Sequence, residues 1–188
     1  MSLFEYVMIL VSIIIGLAIA QMLEGLLRVL RAGRPYRTYW VQSVWVALIF
    51  VELVWHWVYR WDLQAHSSWT VWELLFLVLP TIVLFLLAGL LFPQDSTDLR
   101  SYYLEHRQVF FGLFLGLMVV YSVETWWLLG LDFGNRGDFI RLSIAALCVP
   151  LILSRRAGVH AVATVGQALV ILVSRLPVLG GDVGPLVG

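Results

Sequence analysis

Long apolar runs alternate with short polar segments along the whole chain, and the length of the runs predicts membrane-spanning helices. A helix needs about 20 predominantly apolar residues to cross the hydrocarbon core of a bilayer. Six runs approach or exceed that length, at residues 4–26, 39–61, 69–92, 108–129, 139–153 and 159–176. The pattern predicts an all-α fold with one integral membrane domain over residues 1–188, a polytopic transmembrane helical bundle of about six spans. The fifth run is shorter than a usual span.

Composition supports the same class of protein and argues against others. The chain is 61% hydrophobic and only 13% charged, and its mean hydropathy is +0.91, whereas soluble domains are nearer half apolar and a quarter charged. All twelve basic residues are arginines and the net charge is zero, so no lysine-rich patch for nucleic acid exists. Cys148 stands alone in an apolar run, which excludes a disulfide or a thiolate metal site within one chain.

The arginines predict the orientation of the bundle, because cytoplasmic segments of membrane proteins carry an excess of Lys and Arg. Eight arginines fall in the segments on one side of the six predicted spans, namely Arg28, Arg31, Arg34, Arg37, Arg100, Arg107, Arg155 and Arg156. Four are left for the other side. The distribution predicts that the eight-arginine side is cytoplasmic and that both termini are periplasmic.

Two ionisable residues lie inside the second span, where charge is costly. Glu52 and His56 are four residues apart and share a helix face, and such residues at membrane depth are functional-site hypotheses. Counting at about 1.5 Å per residue places Glu124 of the fourth span level with His56. The sequence therefore predicts a polar cluster of Glu52, His56 and Glu124 in the outer half of the bundle. Residues of similar depth are Tyr59, Glu73, Tyr121 and Arg141.

This cluster has two interpretations, which lead to two hypotheses of function. The first is an interhelical clasp, in which hydrogen bonds fix the packing of a structural, accessory or partner-binding bundle. The second is a small proton- or cation-coupled transporter or channel subunit that uses Glu52, His56 and Glu124. No nucleophile elbow, phosphate loop or zinc-helix motif occurs in the chain, so we expect no enzymatic activity. Expected partners are the lipid bilayer and either a second copy or another membrane protein.

Small residues four apart predict close helix packing, because they let two backbones approach. Such stripes occur in the first and fourth spans, at Ser12, Gly16 and Ala20 and at Gly112 and Gly116. We expect both stripes to face protein. Between the third and fourth spans, residues 99–106 are predicted to form a short amphipathic helix along the interface, with Tyr102 and Tyr103 facing lipid.

Haem is a candidate cofactor because apolar helices that carry histidine can ligate iron axially. His56 lies in the outer half, His66 in a loop, and His106 and His160 at the inner surface as solvated interfacial residues. These positions fit a bis-histidine site poorly. We therefore expect no cofactor and no metal.

Several short aromatic motifs resemble a family of small polytopic bacterial inner-membrane proteins. They are Phe4-Glu5-Tyr6 followed by Ser12 and Gly16, Tyr39-Trp40, and the run Tyr102-Tyr103-x-x-His106-Arg107-x-x-Phe110-Phe111-Gly112. The resemblance implies a bacterial inner membrane and the same number of helices. It carries over no activity, ligand or site.

Overall fold

The computed structural model describes residues 3–32, 38–60, 69–93, 98–128, 130 and 132–179, and the part it describes is helical without strands. The helices are α1 (Leu3–Ala32), α2 (Trp40–Tyr59), α3 (Val71–Gly89), α4 (Leu99–Trp127), α5 (Arg136–Leu153) and α6 (Ala157–Leu179). The predicted all-α bundle is confirmed. The two chain ends, the end of the second predicted span at residue 61 and that of the fourth at residue 129 lie outside the described residues.

Five of the six helices are long and apolar enough to cross a membrane. These candidate spans are Leu3–Arg31, Trp40–Tyr59, Val71–Gly89, Leu99–Trp127 and Ala157–Arg175. The remaining helix, α5, has 18 residues and carries Arg136, Asp138 and Arg141 near its start, so it does not meet the same criterion. Five apolar helices are consistent with a multi-pass membrane protein.

Successive helices run in opposite directions, as contacts between their ends indicate. Arg60, at the end of α2, pairs with Glu124 near the end of α4, while Gln42, at the start of α2, donates a hydrogen bond to the carbonyl of Leu91, just beyond α3. We call the end at which α2, α4 and α6 finish the cavity end, after the cavity that lies there. α3 packs against α1 and α4, α5 lies against α4 and α6, and α2 contacts α1, α3, α4 and α6.

Aromatic packing around Trp45 forms the centre of the core. The Trp45 ring is fully buried and meets Phe110, Phe111 and Phe114 of α4 edge to face, with ring centroids 5.0–5.5 Å apart. Its indole N–H donates to Thr164 of α6 at 3.0 Å, so one residue of α2 joins two other helices. On the outside, α1 exposes large apolar side chains, as the surface of a helix that faces lipid would.

The helix α4 begins nine residues earlier than the predicted residue 108, so the predicted interfacial helix over residues 99–106 is wrong. The side chain of Asp98 accepts hydrogen bonds from the backbone N–H groups of Arg100 and Ser101 and caps the helix there. Tyr103, expected to face lipid, is buried, and its hydroxyl contacts His160 of α6 at 2.9 Å. The helix continues through this polar stretch because one face of it packs inside the bundle.

The two small-residue stripes lie on the outer surface of the chain. Ser12, Gly16, Ala20, Gly112 and Gly116 are all exposed, and a Cβ built at any of the three glycines would have nothing within 4 Å. Ser12 nevertheless accepts a hydrogen bond from the Trp57 indole of α2 at 3.2 Å, and the expectation that both stripes face protein stays a prediction. The buried faces are formed by other side chains, mostly larger ones, which in α1 are Phe4, Val7, Val11, Ile15, Ala18 and Met22.

A close helix approach is found at Gly25, which the small-residue pattern did not single out. A Cβ built on Gly25 would collide with the side chain of Phe92, including its Cβ at 2.8 Å. Because the near part of that side chain is fixed to the backbone, it cannot swing aside. Gly25 therefore permits the contact between α1 and the residues that follow α3.

Candidate functional site

A partly open cavity of about 130 Å³ lies at the cavity end of the bundle. Glu52, His56 and Glu124 all line it, together with Trp55, Tyr59, Met118, Tyr121, Thr125, Ile140, Arg141, Ile144 and Arg175. The structure thus places the three residues of the predicted cluster around one space. All three are buried, with at most 2% of their surface exposed.

Glu124 is neutralised by Arg60, one of the four arginines left for the predicted periplasmic side. Arg60 is the C-cap of α2, its side chain is fully buried, and its guanidinium forms an ion pair with the Glu124 carboxylate of α4. A buried charge without a partner costs several kcal/mol, on the order of 3 to 5 when one member of a pair is removed. The pair therefore satisfies both charges and joins α2 to α4.

Glu52 has its own arginine, contributed by α6. The Arg175 guanidinium donates to both carboxylate oxygens of Glu52, at 2.9 and 3.1 Å. It also lies 4.4 Å from the ring centroid of Trp55, in cation–π geometry. This second pair joins α2 to α6, so both carboxylates of the cluster are held by ion pairs and neither is hydrogen-bonded to His56.

Both nitrogens of the His56 ring have partners. Nε2 lies 2.8 Å from the Thr81 hydroxyl and accepts from Arg60 Nε at 3.4 Å, whereas Nδ1 lies 3.0 Å from the hydroxyl of Tyr121. A guanidinium can only donate, so Nε2 must accept and the ring proton must be on Nδ1. His56 is therefore a neutral ring that donates to Tyr121, and through Thr81 it links α2 to α3.

Arg141 of α5 completes the charged lining and is anchored outside the cluster. It donates from Nε to the Ser122 hydroxyl at 3.0 Å and from a terminal nitrogen to Asp138 at 2.6 Å. Burial raises the pKa of the Asp138 carboxyl, but hydrogen bonds from Arg141, Trp126 and Gly134 outweigh this effect and hold the pKa below its ordinary value. Asp138 is thus a charged anchor that fixes the start of α5 against α4.

Of the other residues expected at the depth of the cluster, some line the cavity and one does not. Tyr59, Tyr121 and Arg141 line the cavity, but Glu73 instead forms a capping box with Thr70 at the start of α3. Among the described residues, no group of three His, Cys, Asp or Glu side chains is arranged to hold a metal ion.

The sequence interpretation missed Arg60, Arg175 and Thr81. Arg60 could have been found, because it continues the four-residue spacing of Glu52 and His56 along one face of α2. Arg175 and Thr81 lie on other helices, and their contact with α2 depends on the order in which the helices pack. That order is not encoded in any local pattern.

A second polar group lies toward the opposite end of the bundle. His160, expected at a solvated surface, is fully buried; its Nδ1 contacts the Tyr103 hydroxyl at 2.9 Å and its Nε2 the Ser154 carbonyl at 2.9 Å. Both nitrogens of His56 and of His160 thus have partners, and within the described part neither ring presents a free nitrogen to an iron atom. Further along α6, Gln167 is fully buried and its amide has no partner among the described residues.

No protein-family model matches the chain, and neither the comparison with curated proteins nor that with solved structures found a match.

Proposed function

We propose that this chain is a structural or accessory bundle of the bacterial inner membrane, without enzymatic activity, in which the polar cluster is an interhelical clasp. The observation that carries the proposal is that both carboxylates of the cluster are ion-paired with arginines across helix boundaries, Glu124 with Arg60 and Glu52 with Arg175. Together with the contact between His56 and Thr81, these bonds connect α2 to three other helices. A partner that docks on such a bundle would meet a rigid surface.

The ion pairs weigh against a free cation site. A carboxylate that holds a metal ion or relays protons acts through a negative charge that is not already compensated, whereas each carboxylate here is neutralised by a guanidinium. His56 Nε2 accepts from the Arg60 guanidinium, so a proton that reached this nitrogen would have to displace a positively charged group. The site is therefore better suited to holding helices together than to passing charge.

The second candidate function is a small proton- or cation-coupled transporter or channel subunit. The observation that favours it is the cavity, because Glu52, His56 and Glu124 all line one partly open space. In this function Arg60 and Arg175 would be the groups that release the carboxylates when a proton or cation arrives.

Purified protein in liposomes that contain a pH-sensitive dye tests the choice between the two functions. The clasp predicts no proton flux above that of empty liposomes. It also predicts that Glu124→Gln lowers the melting temperature in detergent less than Glu124→Leu, because the amide keeps part of the hydrogen bonding. Glu105→Gln, at an exposed position of the same helix, is the matched control and should leave the melting temperature unchanged.

A proton flux in the parent protein that Glu124→Gln abolishes and Glu105→Gln preserves would contradict the clasp and support the transporter. Equal melting temperatures for the parent and Glu124→Leu would also contradict the clasp, whatever the result of the flux assay.

A further inference from the structure

The charged lining of the cavity contains donors that the ion pairs leave unused. Arg175 uses one terminal nitrogen for Glu52, and its other terminal nitrogen makes no hydrogen bond with a described residue. Arg141 uses Nε and one terminal nitrogen for Ser122 and Asp138, and its other terminal nitrogen makes no hydrogen bond with a described residue. Both side chains line the cavity. Each guanidinium therefore has a terminal nitrogen with capacity for an acceptor that the described residues do not supply.

The same cavity also contains an unused acceptor. Glu124 is paired with Arg60 through Oε1, and its Oε2 makes no hydrogen bond with the described residues. Tyr121 accepts from His56 Nδ1, which leaves its own hydroxyl proton for a further partner. The lining thus offers donors around Arg141 and Arg175 and a carboxylate oxygen at Glu124.

We propose that this cavity binds a small zwitterion, with its anionic oxygens at Arg141 and Arg175 and its ammonium group at Glu124. The charges around the site already balance, because Arg60, Arg141 and Arg175 face Glu52, Glu124 and Asp138. A ligand that carries one charge would upset this balance, whereas a zwitterion preserves it. The volume of about 130 Å³ corresponds to roughly four water molecules at about 30 Å³ each, which is the size of a compact polar ligand.

Two sources share this chemistry, a phosphoethanolamine lipid headgroup and a free amino acid. The cavity lies where the candidate spans end, because Arg175 closes one of them and Arg60 directly follows another. A position at the end of spans is reached by lipid headgroups within the membrane plane and by solutes from the adjoining water. The binding assay must therefore distinguish the two sources.

The first experiment uses the parent protein in detergent, with intrinsic tryptophan fluorescence as the readout, to which Trp55 contributes from the cavity lining. The probes are glycerophosphoethanolamine, whose phosphodiester carries one negative charge as in the lipid headgroup, glycine, ethanolamine and inorganic phosphate. We expect at least one zwitterion to bind about tenfold more tightly than ethanolamine or phosphate, since each half of the ligand adds charge-assisted hydrogen bonds. Affinities for both zwitterions no greater than those of the single-charge probes would overturn the proposal.

Nanodiscs distinguish the two sources. A higher melting temperature in phosphatidylethanolamine than in phosphatidylcholine would assign the cavity to the lipid headgroup, because the quaternary ammonium of choline has no N–H to donate to Glu124. Binding of glycine together with equal melting temperatures in the two lipids would assign it to a soluble zwitterion. Either result supports the proposal.

The second experiment compares Arg141→Gln with Arg136→Gln, an exposed arginine of the same helix. Arg141→Gln should weaken binding of the zwitterion by about tenfold, and Arg136→Gln should not change it. Unchanged binding in a folded Arg141→Gln protein would overturn the proposal, and if that variant does not fold, the comparison of probes on the parent protein still decides. The readout is a response to added ligand, so a failure here is distinct from a failure of the clasp, which is measured without ligand.

Discussion

Arg60 illustrates how one side chain can determine the arrangement of a buried site. Its backbone ends α2, and its guanidinium reaches both His56 on its own helix and Glu124 on α4. The long apolar stem of arginine lets the charged group act at a distance from its Cα. A residue that the sequence pattern predicts at a helix end can therefore belong to a buried network of hydrogen bonds and ion pairs.

The pair formed by Arg60 and Glu124 leads to a prediction for a double-mutant cycle. Arg60→Met alone should lower the free energy of unfolding by about 3 to 5 kcal/mol, because it leaves the Glu124 carboxylate buried without its counter-charge. Arg60→Met combined with Glu124→Leu should recover most of that loss, since two apolar side chains need no partner. Denaturant unfolding in detergent measures both values.

The exposed Arg156 supplies the control for this cycle, and Arg156→Gln should be neutral. Additive losses in the double variant would show that the two side chains are not coupled.

Asp138 leads to a prediction of pH dependence, because hydrogen bonds hold its pKa below the ordinary value. A carboxyl whose pKa is lowered by folding adds stability above its unfolded pKa, and that stability is lost as the pH falls through the folded pKa. The melting temperature should therefore decrease as the pH is lowered below about 4. In Asp138→Asn, that decrease in melting temperature should be smaller. Asp132→Asn, at an exposed position before α5, should preserve the parent's curve. An identical acid slope in the parent and in Asp138→Asn would contradict the assignment.

At the scale of single elements, apolar runs predicted which segments are helical, because a helix is the structure that satisfies its own backbone in an apolar environment. The start of α4 was missed because polar residues between 99 and 107 suggested a surface segment. Their apolar and aromatic neighbours nevertheless pack inside, as the contact of Tyr103 with His160 indicates. The partners of Glu52 and Glu124 were missed for a different reason, since periodicity gives a residue's face and depth but not the neighbouring helix.

Gly25 and Gly16 in α1 form a matched pair for testing how the helices pack. Gly25→Leu should destabilise the protein by about 1 to 3 kcal/mol, the usual effect of overpacking, because a side chain there collides with Phe92. Gly16→Leu should be tolerated, because a Cβ at Gly16 meets nothing within 4 Å. Melting temperatures of the two variants in the same detergent provide the comparison. Destabilisation by Gly16→Leu but not by Gly25→Leu would instead indicate that the outer stripe contacts a second chain.

At the scale of the whole molecule, α1 begins at the end of the bundle where α6 finishes. Trp69, just before α3, stacks on Phe4 with ring centroids 6.0 Å apart, and Arg175 near the end of α6 binds Glu52. The four arginines predicted to be periplasmic are Arg60, Arg136, Arg141 and Arg175. Three of them form ion pairs or line the cavity, so these three have a local reason to lie at the cavity end.

This arrangement bears on the prediction that the cavity end is periplasmic. Arg60, Arg141 and Arg175 are held at the cavity end by contacts inside the bundle, so their position there does not argue against the positive-inside rule. The eight arginines of the other side favour a cytoplasmic position for the opposite end. A reporter active only in the periplasm should be active when fused after Gly188 and silent when inserted between Arg156 and Ala157. The reverse pattern would invert the orientation, and activity at both sites would mean that α6 does not cross the membrane.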